Sequence, residues 1–222
     1  MLDVELVIFD LAGTTVEDAG QVPEAFRAAL AEHGISVSSE QLRAVRGASK
    51  RQAVFSFVPE GPDRDRRGEE AYAAFRARLA QLYKKGVRPI PGAEQTFSWL
   101  REKGIRVALN TGFDRDTTGL LLGELGWDRG AADAIICGDD VAQGRPAPYL
   151  IFRAMEAAGA TSVHRVMNVG DTVLDLQAAQ NAGVRYSVGV LSGAHSRAQL
   201  EEVPHTKLIA SVADLPDLWR SA

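Results

Sequence analysis

Leu6-Val7-Ile8-Phe9 is an unbroken apolar run that stops at Asp10. With no polar alternation, it predicts a strand buried on both faces, as in a parallel sheet covered by helices. After Thr15 the pattern becomes helical. Pro23 suits the start of a helix over 24–33, with Ala25, Phe26, Ala29 and Leu30 on one face and Gly34 at the end. A short helix over 39–45 stops at Gly47. Ser49-Lys50-Arg51-Gln52 has the capping-box pattern, which predicts a third helix from 50 to about 58. The charged run Asp63-Arg64-Asp65-Arg66-Arg67 reads as a solvated loop leading into a helix over 69–85, whose apolar face is Tyr72, Phe75, Leu79 and Leu82.

From Pro89 onward helix and strand patterns alternate. Helices are predicted up to Lys103 and over 114–125, 148–158, 173–182, 197–203 and 212–219. Strands are predicted over 105–109, 134–136, 163–169, 186–190 and 207–210. Such alternation implies an α/β protein with a doubly wound parallel sheet. Residues 17–87 carry no strand pattern, so the expected organisation is a core of 1–16 and 88–222 with a helical insert of 17–87. An insert that leaves just after Asp10 overhangs the C-terminal edge of the sheet, where open α/β sheets bind ligands.

Composition narrows the classes. The 222 residues allow one large domain or a domain with a smaller insert, and 45% hydrophobic content is ordinary for a globular protein. A net charge of −4 with mixed signs along the chain argues against nucleic-acid or membrane-surface binding. No apolar run approaches the ~18 residues of a membrane span. Cys137 is the one cysteine, which excludes an intrachain disulfide and fits the cytoplasm. The four histidines lack ligand spacing.

Candidate chemistry sits at four strand ends. The first gives Asp10, followed by Gly13-Thr14-Thr15. The second gives Asn110-Thr111-Gly112, and the third leads through Gly138-Asp139-Asp140 to Gly144-Arg145-Pro146. The fourth gives Gly170-Asp171-Thr172, with Asp175 one helical turn on. A parallel sheet points these ends to one rim, bringing carboxylates, a hydroxyl and a cation together. That set suits phosphoryl chemistry. Carboxylates hold Mg²⁺, a hard ion that takes oxygen ligands. Arg145 and the metal offset phosphate charge, Thr111 and backbone N–H groups bind phosphate oxygens, and Asp10 attacks phosphorus. Each residue alone has a structural explanation; their order and placement carry the reading.

Asp10-Leu11-Ala12-Gly13-Thr14-Thr15, Thr111, Arg145 and Gly170-Asp171-x₃-Asp175 resemble the four motifs of haloacid dehalogenase-type hydrolases. The resemblance spans the chain and implies a Rossmann-like core with residues 17–87 as a helical cap. It implies catalytic Asp10, Thr111 and Arg145, with substrate phosphate held by Gly13, Thr14, Thr111, Gly112 and Arg145. It further implies Mg²⁺ on Asp10, the Ala12 carbonyl, Asp171 and Asp175.

Phosphatases of this superfamily usually carry a second Asp two residues after the nucleophile. Here that residue is Ala12, which cannot transfer a proton. Asp-x-Ala-Gly-Thr-Thr resembles the phosphonatase branch, which cleaves a C–P bond using a cap lysine that forms an imine with an aldehyde. Gly47-Ala48-Ser49-Lys50 matches that lysine's position. At a helix N-terminus near Arg46 and Arg51, Lys50 is also disfavoured as an ammonium ion. Arg46 and Ala53 depart from the branch, where a Met precedes the Gly and a His follows the Lys by three. Gln21 departs too, at a position that often holds Cys.

The leading expectation is therefore a Mg²⁺-dependent hydrolase of a small phosphonate, acting through an aspartyl-phosphate. Pairing as a homodimer is implied by the resemblance alone. A phosphomonoesterase acting on a small phosphorylated metabolite and a non-catalytic phosphate-binding protein are the alternatives left open.

Overall fold

The computed structural model describes residues 2–220. Six parallel strands form one sheet in the order β3-β2-β1-β4-β5-β6. They are β1 (Leu6–Asp10), β2 (Arg106–Asn110), β3 (Ala134–Ile136), β4 (Val166–Gly170), β5 (Tyr186–Val190) and β6 (Lys207–Ile209). The apolar run therefore lies centrally, between β2 and β4, with Asp10 beside Asn110. Every residue of β1 is buried, as expected where helices cover both faces of a sheet. Strand order reverses on either side of β1, so its C-terminal end lies at the topological switch point.

Helices α1 (Gln21–Glu32), α2 (Ser39–Ala44), α3 (Lys50–Phe57) and α4 (Arg64–Lys84) follow β1 before the chain returns to the sheet. The two connecting segments run side by side: Val16 bridges Pro89, and Glu17 N–H donates to the Arg88 carbonyl at 2.9 Å. Phe26 of α1 packs on Phe75 of α4, with ring centroids 4.4 Å apart. The remaining helices are α5 (Ala93–Glu102), α6 (Arg115–Leu125), α7 (Tyr149–Ala158), α8 (Val173–Ala182), α9 (Arg197–Glu201) and α10 (Asp217–Arg220). Among the described residues no helix is long and apolar enough to cross a membrane.

Several boundaries differ from expectation: α1 begins at Gln21, ahead of Pro23, α9 ends at Glu201, and three others have a local physical cause. Helix α4 begins at Arg64, so most of the charged run is helical rather than looped. Its first turns are laced by Arg64–Glu60 and Arg66–Glu70 ion pairs, and Gly68 lies within the helix because a Cβ there would come 2.7 Å from the Phe55 ring. Strand β4 begins only at Val166, after a 3₁₀ turn over Val163–Arg165. Residues 212–219 form a 3₁₀ turn and then α10, because Pro216 lacks an N–H and disfavours helical backbone before it.

Candidate active site

Asp10, Ala12, Lys50, Thr111 and Asp171 line one cavity, together with Val22, Arg46, Gly47, Phe113, Thr172 and Ala194. Three strand ends and the segment before α3 thus meet at one point. The space enclosed is about 20 Å³, room for about one water. The 17–87 segment is closed on the sheet here: Lys50 N–H donates to the Gly112 carbonyl at 2.9 Å, and Arg145 Nη1 donates to the Gly47 carbonyl at 3.3 Å. The approach is tight enough to require glycine. A Cβ on Gly112 would lie 2.4 Å from the Ala48 oxygen, and one on Gly47 would lie 2.3 Å from Thr172 Oγ1.

Asp10 is buried, and its Oδ1 lies 2.7 Å from Arg145 Nη2. Burial pushes its carboxyl above the usual range, against the pull of Arg145 and with a push from Asp175. Arg145 is 4% exposed, and its Nη1 reaches Asp175 Oδ1 at 2.8 Å. Nη2 also donates to Asn110 Oδ1 at 2.5 Å. Thr172 donates to Asp175 Oδ2 through its backbone N–H at 3.1 Å and its hydroxyl at 2.5 Å. Protein donors therefore occupy both Asp175 oxygens, and its part in this arrangement is to cap α8 and anchor Arg145.

Asp171 is 1% exposed and held from two sides. Thr14 Oγ1 donates to its Oδ1 at 3.1 Å, and Ala194 N–H to its Oδ2 at 2.6 Å. Gly13, at φ +96°, and Gly193 make room for it, since a Cβ on either would come within 2.4 Å of Oδ2. Burial, with Asp10 and Asp175 nearby, pushes Asp171 up to the point where its charge is costly at neutral pH. Two buried, mutually repelling carboxylates lining one cavity are hard oxygen donors, which fit Mg²⁺. Among the described residues no group of three or more acidic, His or Cys side chains is arranged to hold a metal ion.

The other expected residues fall as follows. Thr111 lines the cavity, and its Oγ1 accepts from Phe113 N–H at 3.2 Å. The Thr14 hydroxyl is engaged by Asp171, and the Gly13 carbonyl accepts from Ser192 Oγ at 2.8 Å. Asp139 and Asp140 lie outside the cavity lining; Asp139 accepts from Arg115 N–H, and Asp140 pairs with the Arg115 side chain. Cys137 is packed, and burial raises its thiol to about 11.

Lys50 is the first residue of α3 and is 8% exposed. Ser49 precedes the helix, but its side chain makes no capping hydrogen bond, contrary to the capping-box expectation. Nζ donates to the Ala48 carbonyl at 3.1 Å and sits 5.1 Å from the Phe113 ring centroid. No carboxylate pairs with it among the described residues. Burial lowers its pKa to about 8; Asp10 opposes that shift, while Arg145 and Arg46 reinforce it.

Asn110 ends β2 beside Thr111, where the sequence places it, and its Oδ1 accepts from Arg145. Asp18, Gly193 and Ala194 are site residues that the sequence did not reveal. The loop after β5 had no signal in its composition; the sheet order brings it beside Asp171.

A family model, haloacid dehalogenase-like hydrolase, matches residues 4–183. The chain belongs to that family and is a hydrolase. It is 29% identical over 218 residues to phosphonoacetaldehyde hydrolase from Bacillus cereus, covering 90% of this chain and 81% of the relative. Among solved structures, a hydrolase from Pseudomonas syringae superposes with TM-score 0.87 at 23% identity, covering 98% of both chains. A phosphonoacetaldehyde hydrolase like protein from Oleispira antarctica gives 0.86 at 22% identity, covering 99% of this chain and 92% of that one. At these identities the structural likeness concerns the fold.

Proposed function

We propose that the protein cleaves the C–P bond of a small carbonyl-bearing phosphonate, with Asp10 as nucleophile, Lys50 as imine-forming amine and residues 17–87 as a cap over the site. The observation that carries this reading is Lys50. It is buried without a carboxylate partner and lines the same cavity as Asp10, where a phosphatase of this family would rely on an acid at position 12. Ala12 cannot protonate a leaving oxygen. The relationship to phosphonoacetaldehyde hydrolase from Bacillus cereus supports the same assignment.

The residues divide the work. The free amine of Lys50 adds to the substrate carbonyl and water leaves, giving an imine. Asp10 attacks phosphorus as the C–P bond breaks, and the bonding electrons flow into the imine to give an enamine. Asp10 is left as an aspartyl-phosphate, which water cleaves. A proton on the enamine carbon and a second water release the carbonyl product from Lys50. Arg145 holds the Asp10 carboxylate at 2.7 Å, and Thr111 stands at the cavity wall to receive phosphoryl oxygens. Mg²⁺ on Asp10, Asp171 and the Ala12 carbonyl would supply positive charge against the phosphoryl oxygens. Phe113 and the closed cap keep bulk water from the imine.

The test is turnover of phosphonoacetaldehyde beside a panel of phosphate esters, each with and without Mg²⁺. Preferential, Mg²⁺-dependent release of phosphate from the phosphonate supports the reading. Ready hydrolysis of esters with none of the phosphonate replaces it with a phosphomonoesterase.

A further inference from the structure

Arg46 is the cation in the cavity that this chemistry leaves unused. It lies four residues before Lys50, and both line the same space. One nitrogen, Nη1, pairs with Asp18 Oδ2. Asp18 is itself a fixed post: its side chain is 4% exposed, and its Oδ1 accepts from the backbone N–H groups of Gly20 and Val22, each at 3.2 Å. Nε and Nη2 of Arg46 make no hydrogen bond to a described residue, and the half-buried side chain leaves them open to solvent or ligand. A guanidinium carries five N–H donors in a planar fork, so a carboxylate gripping one nitrogen fixes the group and leaves donors free.

The phosphoryl end of a substrate has its own partners in Asp10, Thr111 and Arg145, and the carbonyl carbon has Lys50. Because Arg46 lines the cavity together with Lys50, its remaining donors are within the space that would take whatever the carbonyl carbon carries on its other side. Planar oxyanions are what a guanidinium edge binds best. We propose that Arg46 reads a carboxylate on the substrate, so that the preferred class is a phosphonate bearing an α-keto acid, such as 3-phosphonopyruvate, rather than the bare aldehyde. This inference rests on the reading that Asp10 and Lys50 act on one substrate. The chemistry balances for the keto acid. Imine formation releases one water, and hydrolysis of the imine and of the aspartyl-phosphate each consumes one. The C–P electron pair ends as the new C–H bond of pyruvate, with its proton drawn from solvent.

The experiment measures kcat/KM for 3-phosphonopyruvate and for phosphonoacetaldehyde with the wild type and Arg46→Met. The expected result is a preference for the keto acid of about tenfold or more, carried by KM and lost in the variant. A role confined to packing or to the Lys50 amine lowers both substrates alike and leaves the ratio unchanged, which overturns the proposal. A second measurement needs no variant. 3-Phosphonopropionate, which has the carboxylate but no carbonyl, should inhibit the wild type about tenfold more tightly than ethylphosphonate. Equal inhibition together with no substrate preference overturns the carboxylate site and leaves C–P cleavage standing. Selective binding of 3-phosphonopropionate with no turnover of either phosphonate upholds the carboxylate site and removes the C–P reading instead.

Discussion

Arg145 Nη2 lies 2.7 Å from Asp10 Oδ1, and both side chains are buried. The pair fixes the rotamer of the proposed nucleophile before substrate arrives. Through Nη1 the same guanidinium reaches Asp175, so one cation anchors two carboxylates, one at the end of β1 and one in the first turn of α8. Removing it leaves two buried acids without their cation, and breaking such a pair from one side costs about 3–5 kcal/mol. Arg145→Met should therefore lower the urea midpoint markedly and reduce kcat by about a hundredfold or more. Adding Asp175→Asn should restore part of the stability and none of the rate. Full stability in the single variant would contradict the anchoring role.

Asp10→Asn should lower phosphonate turnover by at least about a thousandfold, since loss of a covalent nucleophile removes the step itself. The fold should persist. The Asp10 carboxyl is raised chiefly by burial, so neutralising it relieves a cost at pH 7 while Asn keeps the shape. Circular dichroism and a melting curve check the fold, and phosphate release checks the rate.

Mg²⁺ should stabilise the wild type. At a hundredfold excess over its Kd, binding adds about 2.7 kcal/mol, or a Tm rise of about 5–10 °C for a chain of this size. Asp171→Asn should lose most of that rise. The pH dependence has a definite sign. Asp10 and Asp171 are raised above 3.8 in the folded state, so the folded chain holds more protons than the unfolded one between 3.8 and the raised values. Metal-free stability then falls as pH rises through that window. The Mg²⁺ increment shrinks as pH falls through it, because protons compete for the same oxygens. A Tm shift that does not change between pH 5 and pH 8 would remove the carboxylate assignment.

The Lys50 amine, lowered to about 8, is mostly protonated at pH 7 and mostly free at pH 9. The rate of imine formation should rise about tenfold per pH unit well below 8 and level off above it. Lys50→Arg keeps the charge but cannot form the imine, and should abolish the limb together with turnover. A flat profile from pH 6 to 9 would show that amine ionisation does not control the reaction.

Much of this arrangement was legible in the sequence where local pattern and global fold agree. The run into Asp10 is continuous and apolar, so strand, burial and rim position followed from one stretch. The helix over 173–182 was equally legible, but the pattern did not reveal that Thr172 and Asp175 form the capping box that opens it. The start of α4 was missed because charged residues mask a helix that i,i+4 ion pairs support. Ser49 shows the opposite failure: the capping pattern was present, but its side chain makes no capping bond where the segment presses against Gly112 and Gly144. The grip of Ala194 on Asp171 and of Asp18 on Arg46 joins distant parts of the chain through folding alone, and no local spacing encodes either.

The proposed reaction turns on Lys50 forming an imine with a carbonyl phosphonate in the cavity that holds Asp10. It is tested most directly by adding borohydride during turnover of phosphonoacetaldehyde and mapping the modified peptide by mass spectrometry. The expected result is rapid inactivation with a reduced two-carbon adduct on Lys50, ethyl or phosphonoethyl according to whether cleavage preceded reduction, and protection of Lys50→Arg. Continued phosphonate turnover in borohydride, with Lys50 unmodified, would contradict it.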